Sequence, residues 1–263
     1  MELKLMTFNI RTDVAADGPN NWKYRFSNIA KFMELSGASV IGTQEGLIAM
    51  LHDLEQGISS YQWFGEDRAD PTCNEHCAIF YKDKDVLVND KGTFWLSETP
   101  EISGSVSWKS SLPRICTWGE FQMIAQPNKM FRVFNLHLDH KSHEAREKGI
   151  RLVIEKISEM NKTKYLPSIV MGDFNTEPDT IAIQFIKQAN ISLSGTKLVD
   201  VQESHGENNA KTFHSFEGGI EGQPIDYIFV SDDFVIKESK VLRNKIDENY
   251  LSDHYPVITT LYY

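Results

Sequence analysis

The stretch from residue 169 to residue 175 reads Ile-Val-Met-Gly-Asp-Phe-Asn and joins an apolar segment to a polar turn. Its first three residues are typical of a short strand that is buried on both faces. Gly172 permits a sharp turn, which presents Asp173 and Asn175 on one side of the chain. Polar side chains at strand ends build sites in layered α/β folds, because the loops there hold them on a rigid base. The stretch therefore predicts a buried sheet with a candidate site at its edge.

Polar residues follow or precede other apolar segments in the same way. Asn9 follows residues 6–8, and Gln44 and Glu45 follow residues 40–41. The other positions are His137, Asp139 and His140 after residues 134–136, Asp226 within residues 224–228, and Asp253 and His254 before residues 255–257. Taken alone, Asn9, Glu45 and His137 are more typical of a turn, a helix cap or a packed core position, whereas Asp253 and His254 fit a site as well as they fit such a position. Their recurrence along the chain indicates that they share one site.

Helix-like and strand-like periodicities alternate along the whole chain. Apolar residues recur at helical spacing in residues 22–35, 47–54, 142–160 and 180–188. Between residues 61 and 138, β-branched and aromatic segments separated by turns at Asn89-Asp90 and at residues 126–128 predict antiparallel hairpins. We expect one domain over residues 1–263, an α/β (α+β) four-layer sandwich. In it, two mixed, mostly antiparallel β-sheets pack face to face with helices on the outside.

Composition and charge exclude several classes of protein. The 263 residues are 41% hydrophobic and 24% charged, which is typical of a globular chain, and no apolar run is long enough to cross a membrane. A net charge of −10 disfavours proteins that coat nucleic acids, since these need clustered Lys and Arg. The N-terminus lacks the pattern of a signal peptide. The three cysteines include Cys73 and Cys77 beside His76, but no second pair completes a zinc site, so we expect free thiols and a cytoplasmic location.

The order of the polar motifs resembles that of the endonuclease/exonuclease/phosphatase superfamily, over essentially the whole chain. That superfamily includes pancreatic deoxyribonuclease, abasic-site endonucleases, inositol-phosphate phosphatases, neutral sphingomyelinases and nocturnin-like deadenylases. The motifs are Thr-Phe-Asn at 7–9, Gln-Glu at 44–45, Asn-Leu-His-Leu at 135–138, Gly-Asp-Phe-Asn at 172–175, Ile-Asp-Tyr-Ile at 225–228 and Ser-Asp-His at 252–254. Residues 9–13 and 94–100 look like bacterial members of the superfamily, nearest to the deadenylase-like branch.

The resemblance implies a divalent metal site at the strand ends. Glu45 is the candidate for direct ligation of Mg²⁺, with Mn²⁺ as a substitute, and Asn9 would supply an amide oxygen. Asp253 would be a second carboxylate for the metal or would orient His254. Mg²⁺ prefers oxygen ligands and keeps several waters, so one or two carboxylates are enough.

The resemblance also implies roles in phosphoester cleavage. Asp173 and His254 are assigned jointly to activation of the attacking water, and which of them is the base stays open. Asn175 would donate to a non-bridging phosphate oxygen. His137 would contact the phosphate or protonate the leaving group, and Asp226 would orient a neighbouring histidine.

Three further residues are candidates for binding the substrate. Arg114 would clamp a phosphate through its guanidinium group, with a surface salt bridge as an equally plausible role. If the strand continues past His137, Asp139 shares its face and joins the site, while His140 packs beneath. Trp108 lies in a polar loop and is a candidate for stacking on a base or a sugar. Arg11 stands where some nuclease relatives have an acid, which weakens a deoxyribonuclease assignment.

The sequence thus predicts a Mg²⁺-dependent phosphoesterase that hydrolyses a phosphodiester, with 3′–5′ exonuclease action on RNA or other nucleic-acid ends as the leading expectation. The alternative is a phosphatase or phospholipase-type phosphodiesterase acting on a small phosphorylated molecule. A non-catalytic binding module on the same scaffold and a glycosidase with paired carboxylates are further alternatives, and metal independence would distinguish the glycosidase. We expect no membrane insertion, and the sequence indicates no protein partner.

Overall fold

The computed structural model describes residues 2–207 and 210–263. Its helices are α1 (Trp22–Ser36), α2 (Ile48–Gly57), α3 (His143–Thr163), α4 (Ile181–Gln188) and α5 (Val201–His205), with a 3₁₀ segment at Ala15–Asn20. Its strands are β1 (Glu2–Asn9), β2 (Val40–Gln44), β3 (Gly46–Leu47), β4 (Gln62–Phe64), β5 (Glu75–His76), β6 (Ile79–Tyr81), β7 (Val86–Trp95), β8 (Ile115–Met123), β9 (Gln126–His137), β10 (Ser168–Asp173), β11 (Leu198–Asp200), β12 (Asp226–Ser231), β13 (Val235–Val241) and β14 (Val257–Tyr262).

The described residues form two six-stranded sheets and one small two-stranded sheet. The first large sheet has the strand order β13-β14-β1-β2-β6-β4, and the second has the order β11-β12-β10-β9-β8-β7. The pair β1–β2 is parallel in the first sheet and β9–β10 is parallel in the second, whereas the other neighbours in both sheets are antiparallel. The small sheet pairs β3 with β5. The predicted mixed, mostly antiparallel sheets are confirmed.

Three apolar clusters make this a four-layer sandwich. The central cluster joins the facing sides of the two sheets, for example Leu5 of β1 with Met171 of β10. A second cluster packs α3 and α4 on the outer side of the second sheet, and a third packs α1 and α2 on the outer side of the first. Both faces of each sheet are therefore covered, which explains the continuous apolar runs of β1, β2 and β10. No helix within residues 2–207 and 210–263 is long and apolar enough to cross a membrane.

The topology brings the ends of strands from both sheets to one edge of the sandwich. β9 and β10 are parallel and end together, with His137 opposite Asp173. β12 runs antiparallel to β10, so its first residue, Asp226, also lies opposite Asp173. In the other sheet, Asn9 at the end of β1 is opposite Gln44, the residue before Glu45. The alternation of strand directions therefore collects residues that are far apart in sequence.

Some local expectations are wrong. Asn89 and Asp90 do not form a turn but lie within the continuous strand β7, which has a bulge between Val88 and Asp90. The hairpin turn between β8 and β9 is at residues 124–125, and residues 126–128 already belong to β9. Helix α5 was not predicted, because five residues are too few to show helical periodicity.

Candidate active site

A cavity of about 460 Å³ opens at this edge of the sandwich. Its lining includes six residues predicted from the strand ends, namely Glu45, His137, Asp173, Asn175, Asp253 and His254. A shallower depression of about 770 Å³ beside Pro19 and Tyr24 is larger, but it is lined by small, amide and lysine side chains without an acid or an imidazole. The smaller cavity is therefore the candidate active site, because chemistry depends on the groups that meet and not on the volume.

Asn9 lies at the centre of the acidic groups. Its Nδ2 donates hydrogen bonds to Glu45 Oε1 at 2.9 Å and to Asp173 Oδ2 at 3.0 Å. Its Oδ1 accepts the backbone N–H of Arg11 at 3.0 Å. Because carboxylates accept and an N–H donates, these partners fix which end of the amide faces the cluster. The structure thus directs the nitrogen of Asn9, and not its oxygen, at Glu45, a predicted metal ligand, and at Asp173.

Glu45 has the left-handed backbone conformation, with φ of 66°, which is uncommon for a residue other than glycine. This conformation turns its side chain from the end of β2 towards Asn9, and its Oε2 also accepts the backbone N–H of Thr12 at 2.9 Å. Burial alone raises the pKa of Glu45, but the hydrogen bonds from Asn9 and Thr12 bring it below its usual value. Glu45 therefore offers an ionised carboxylate.

Asp173, Asp226 and His254 form a buried chain of titratable groups. His254 Nδ1 lies 2.8 Å from Asp226 Oδ2, and His254 Nε2 lies 3.8 Å from Asp173 Oδ2. Burial lowers the pKa of His254, but the carboxylates of Asp226 and Asp173 outweigh burial and raise it to about 10. Burial, together with the charge of Asp226, raises the pKa of Asp173 to about 7. Asp226 thus contacts His254 Nδ1 directly, and its charge favours the protonated form of that imidazole.

His137 and Asn175 complete the cluster on the side of the second sheet. Asn175 Nδ2 lies 2.9 Å from His137 Nε2 and donates to the carbonyl of Leu138 at 3.1 Å, while its backbone N–H donates to Asp173 Oδ1 at 2.8 Å. His137 Nε2 is 3.4 Å from Asp173 Oδ2. Burial, together with the charge of Arg114, lowers the pKa of His137 well below its usual value. His137 is therefore neutral, which is the form that binds a metal or accepts a proton.

The donor set fits a divalent cation. One ligand atom from each of Glu45, His137 and Asp173 lies within 4.8 Å of the others, and the same holds for Asp173, Asp226 and His254. Oδ1 of Asp226 is buried and makes no hydrogen bond with any described residue. The first set is the candidate, because His254 of the second set is protonated. Its carboxylate oxygens suit Mg²⁺ or Mn²⁺, whereas an imidazole is the more usual ligand of a transition metal. Asp253 lines the cavity, with Oδ2 at 3.7 Å from Arg11 Nε, but it belongs to neither cluster of ligand atoms.

Arg114 lines the cavity and is only 5% exposed, so it does not form a surface salt bridge. Its Nη2 lies 2.9 Å from His140 Nδ1, and its Nε is 3.7 Å from Asp139 Oδ2. The carboxylate of Asp139 accepts hydrogen bonds from the backbone N–H of Ser111, Lys141 and Ser142, and it does not line the cavity. Asp139 therefore supports Arg114 from behind.

The expected alternation of Asp139 and His140 is wrong because β9 ends at His137. The chain then turns, so that His140 lines the cavity and Asp139 does not. Trp108 also lies outside the cavity: its Nε1 donates to Glu98 Oε1 at 3.1 Å, beside Lys148 and Arg151 of α3. The structure thus brings together most of the predicted residues and leaves Trp108 and Asp139 out.

Among the residues that line the cavity, sequence reasoning missed the charged Arg68 and Glu75 and the aromatic Phe213, besides Thr12, Leu112, Ser215 and Ile225. Glu75 lies within the Cys-Asn-Glu-His-Cys segment, whose polar residues were a signal, but they were considered only as a metal site. Phe213 is 42% exposed, and its ring centroid lies 5.0 Å from that of His254. A lone phenylalanine in a loop carries no such signal.

A buried cluster of carboxylates and imidazoles beside an arginine, at one edge of a four-layer sandwich, defines a metal-dependent phosphoester hydrolase. The model of the Endonuclease/Exonuclease/phosphatase family matches residues 6–254. The chain therefore belongs to the endonuclease/exonuclease/phosphatase family, and like the members of that family it is a metal-dependent phosphoesterase.

Solved structures place the chain among bacterial members of this family. A mannosyl-6-phosphatase from Bacteroides thetaiotaomicron is 33% identical with a TM-score of 0.88, covering 99% of this chain and 100% of that one. A family protein from Bacteroides vulgatus is 32% identical with a TM-score of 0.90, covering 100% and 99%. The human nocturnin catalytic domain, 15% identical with a TM-score of 0.74 and covering 99% and 93%, shares the fold. Among curated proteins, no significant match is found.

Proposed function

We propose that the chain hydrolyses the phosphomonoester of a small phosphorylated sugar and uses Mg²⁺ to do so. A phosphatase for a small molecule, which was the alternative expectation, is thus the first candidate, and exonuclease action is the second. The observation that carries the proposal is the cavity of about 460 Å³, in which a carboxylate cluster meets Arg114. That volume suits a small ligand. The identity of 33% with a mannosyl-6-phosphatase over the full length of both chains supports the same substrate class.

In this proposal some protein groups activate the attacking water, and others bind the phosphate. Glu45 and Asp173, with His137, would hold Mg²⁺, which when bound would polarise a phosphoryl oxygen. Asp173 accepts one proton of the attacking water as the water oxygen bonds to phosphorus. The bond between phosphorus and the sugar oxygen breaks, and that oxygen takes up a proton from solvent, so that the sugar leaves as an alcohol. His254, held by Asp226 at 2.8 Å, donates from Nε2 to a phosphoryl oxygen, and Arg114 pairs with another.

The remaining predicted residues keep narrower roles in this proposal. Asn9 holds Glu45 and Asp173 in place through its Nδ2. Asn175 positions His137 through its Nδ2 and Asp173 through its backbone N–H. Asp253 faces Arg11 at the wall of the cavity. A cytoplasmic location, in line with the three free thiols, is part of the proposal.

Exonuclease action on RNA ends is the second candidate. Phe213 favours it, because an exposed aromatic ring at the cavity is a platform on which a base can stack. The net charge of −10 disfavours it, because a nucleic acid outside the cavity meets an acidic protein. The likeness to nocturnin is one of fold alone at 15% identity.

A substrate panel tests the proposal. Phosphate release from glucose 6-phosphate, mannose 6-phosphate and p-nitrophenyl phosphate is compared with cleavage of bis-p-nitrophenyl phosphate and a short RNA, each with Mg²⁺, Mn²⁺ or EDTA. We expect monoesters to be cleaved with Mg²⁺ and not with EDTA, and Asp173→Asn to lower kcat at least about a thousandfold.

The exposed Asp232, which follows β12, supplies the matched control Asp232→Asn. Cleavage of the RNA or the diester in preference to the monoesters would favour the second candidate. Monoesterase activity that survives both EDTA and Asp173→Asn would overturn the mechanism.

A further inference from the structure

Glu75 is a carboxylate in the cavity that the proposed hydrolysis does not use. It lies on β5, whose pairing with β3 places it opposite Leu47, two residues beyond Glu45. The side chain is 12% exposed and lines the same cavity as Asp173 and Arg114. It belongs to neither group of candidate metal ligands.

Only one oxygen of Glu75 is firmly bound within the described residues. Oε2 pairs with Arg68 Nη1 at 2.7 Å, whereas Oε1 accepts a hydrogen bond from the Cys73 thiol, with Sγ at 3.4 Å. A thiol is a weak donor, so Oε1 keeps its capacity to accept hydrogen bonds. Oε1 is therefore the atom of Glu75 that can serve a ligand in the cavity.

Arg68 holds this carboxylate rigidly. Its Nε donates to the carbonyl of Cys73 at 3.0 Å, its Nη2 lies 3.5 Å from Asp70 Oδ2, and its side chain is buried. A fixed arginine on one side and an open cavity on the other are what a preorganised acceptor needs.

The charge of Glu75 limits what it can bind. A carboxylate accepts hydrogen bonds from hydroxyl groups and donates none, and Arg68, which lines the same cavity, compensates its charge. A sugar next to a bound phosphate presents such hydroxyls.

We infer that Glu75 binds hydroxyl groups of the substrate and makes this cavity selective for phosphorylated sugars over phosphomonoesters that lack sugar hydroxyls. The inference rests on the proposed function and deepens it. Glu75 is in this view a specificity-determining residue, and Arg68 positions it.

The test compares kcat/KM for glucose 6-phosphate and mannose 6-phosphate with kcat/KM for p-nitrophenyl phosphate, whose leaving group has no sugar hydroxyl. In Glu75→Gln we expect the ratio of sugar phosphate to p-nitrophenyl phosphate to fall about ten- to hundredfold, mainly through KM. That is the size expected for a lost hydrogen bond to a charged group.

Asp70→Asn is the matched control, because Asp70 contacts the same arginine but does not line the cavity. Its ratio should stay within about threefold of the wild type. Thermal melting reports folding. If Glu75→Gln folds poorly, Glu75→Asp, which keeps the charge for Arg68, should lower the ratio in the same direction.

The outcomes separate the inference from the proposed function. Wild-type cleavage of both kinds of monoester, with an unchanged ratio in the folded Glu75 variants, would overturn the inference and leave the proposed function standing. An equal fall in Asp70→Asn would mean that the pair with Arg68 is structural only. A wild type that cleaves no sugar phosphate would overturn both.

Discussion

The nearest buried partner of the His254 imidazole is the carboxylate of Asp226. Asp226 Oδ2 lies 2.8 Å from Nδ1 and, with Asp173, raises the pKa of the ring to about 10 although burial opposes this. Asp226→Asn keeps the shape of the side chain and removes its charge. The imidazole then loses both its orientation and its proton at neutral pH, so its donation to the phosphoryl oxygen fails.

We expect Asp226→Asn to lower kcat about a hundred- to ten-thousandfold towards the best monoester. NMR titration of His254 should show its pKa falling from about 10 towards the usual value near 6.5. The exposed Asp232→Asn is the control for the loss of one acid. A kcat within about threefold of the wild type would show that Asp226 does not act on the reaction.

Membership of the site was predictable for residues that belong to a motif. It was less predictable for residues that reach the cavity, or take their orientation, only through contacts in the folded chain. Asp173 and His254 follow from the strand ends, and the structure brings them into one cavity. The orientation of the Asn9 amide depends on the backbone of Arg11, which no pattern reveals. Glu75 reaches the cavity only because β5 pairs with β3, a contact between residues far apart in sequence.

At the scale of elements, Gly172 is a requirement of the parallel pair β9–β10. Its φ is 147°, and a Cβ there would lie 1.9 Å from the carbonyl oxygen of Leu136, within the neighbouring backbone. Backbone cannot move aside without breaking the pairing that sets His137 opposite Asp173. We expect Gly172→Ala to lower the free energy of unfolding by about 3 kcal/mol or more, as measured by urea denaturation.

Gly195→Ala is the control for the conformational part of that effect. Gly195 also has a positive φ, 86°, but a Cβ there would meet nothing within 4 Å. We expect a loss of about 1–2 kcal/mol, from backbone strain alone. Equal losses in the two variants would show that the approach of Leu136 is not what demands glycine at residue 172.

Helix α5 is capped by Asp200, and burial disfavours the ionised form of this carboxyl group. Asp200 accepts the backbone N–H of Gln202 at 2.9 Å, and burial raises its pKa to about 6. The folded state therefore binds a proton more tightly than the unfolded state, in which the pKa is near 3.9. This part of the stability is present below about pH 4 and is lost as the pH rises to about 6.

We expect Asp200→Asn, which keeps the cap because Asn caps as well as Asp, to be more stable than the wild type at pH 8 by up to about 2 kcal/mol. At pH 4 the two proteins should be nearly equal. Urea denaturation at both pH values measures this. A gain that is the same at pH 4 and pH 8 would contradict the assigned cause.

Elements were predictable where a periodic apolar face marks them. The periodic helices α1 and α3 begin within one residue of the predicted positions, because many apolar residues mark their buried faces. The short helix α5 depends on its cap, and β7 continues through Asn89-Asp90 because pairing with β8 overrides the turn preference of those residues. Capping and tertiary contacts decide such segments.

For the whole molecule, the layers followed from the sequence because each strand run was too apolar to face water. The position of the site followed from topology, since parallel and antiparallel strands end or begin at one edge. The net charge of −10 and the buried acids of the cavity both favour the binding of a cation. Without a cation, Glu45 and Asp173 are held near each other mainly by the amide of Asn9.

This crowding of acids predicts that cation binding stabilises the whole fold. A ligand that binds only the folded state adds about 1.4 kcal/mol when its concentration is ten times Kd, and each kcal/mol raises Tm by about 2–4 °C in a chain of this size. We therefore expect saturating Mg²⁺ to raise Tm by about 3–5 °C relative to EDTA. Glu45→Gln should lose most of this rise, because it removes a charged ligand, whereas the exposed Glu155→Gln of α3 should keep it. Calorimetry with and without Mg²⁺ measures the difference, and an equal rise in Glu45→Gln and the wild type would place the bound cation somewhere other than at this carboxylate.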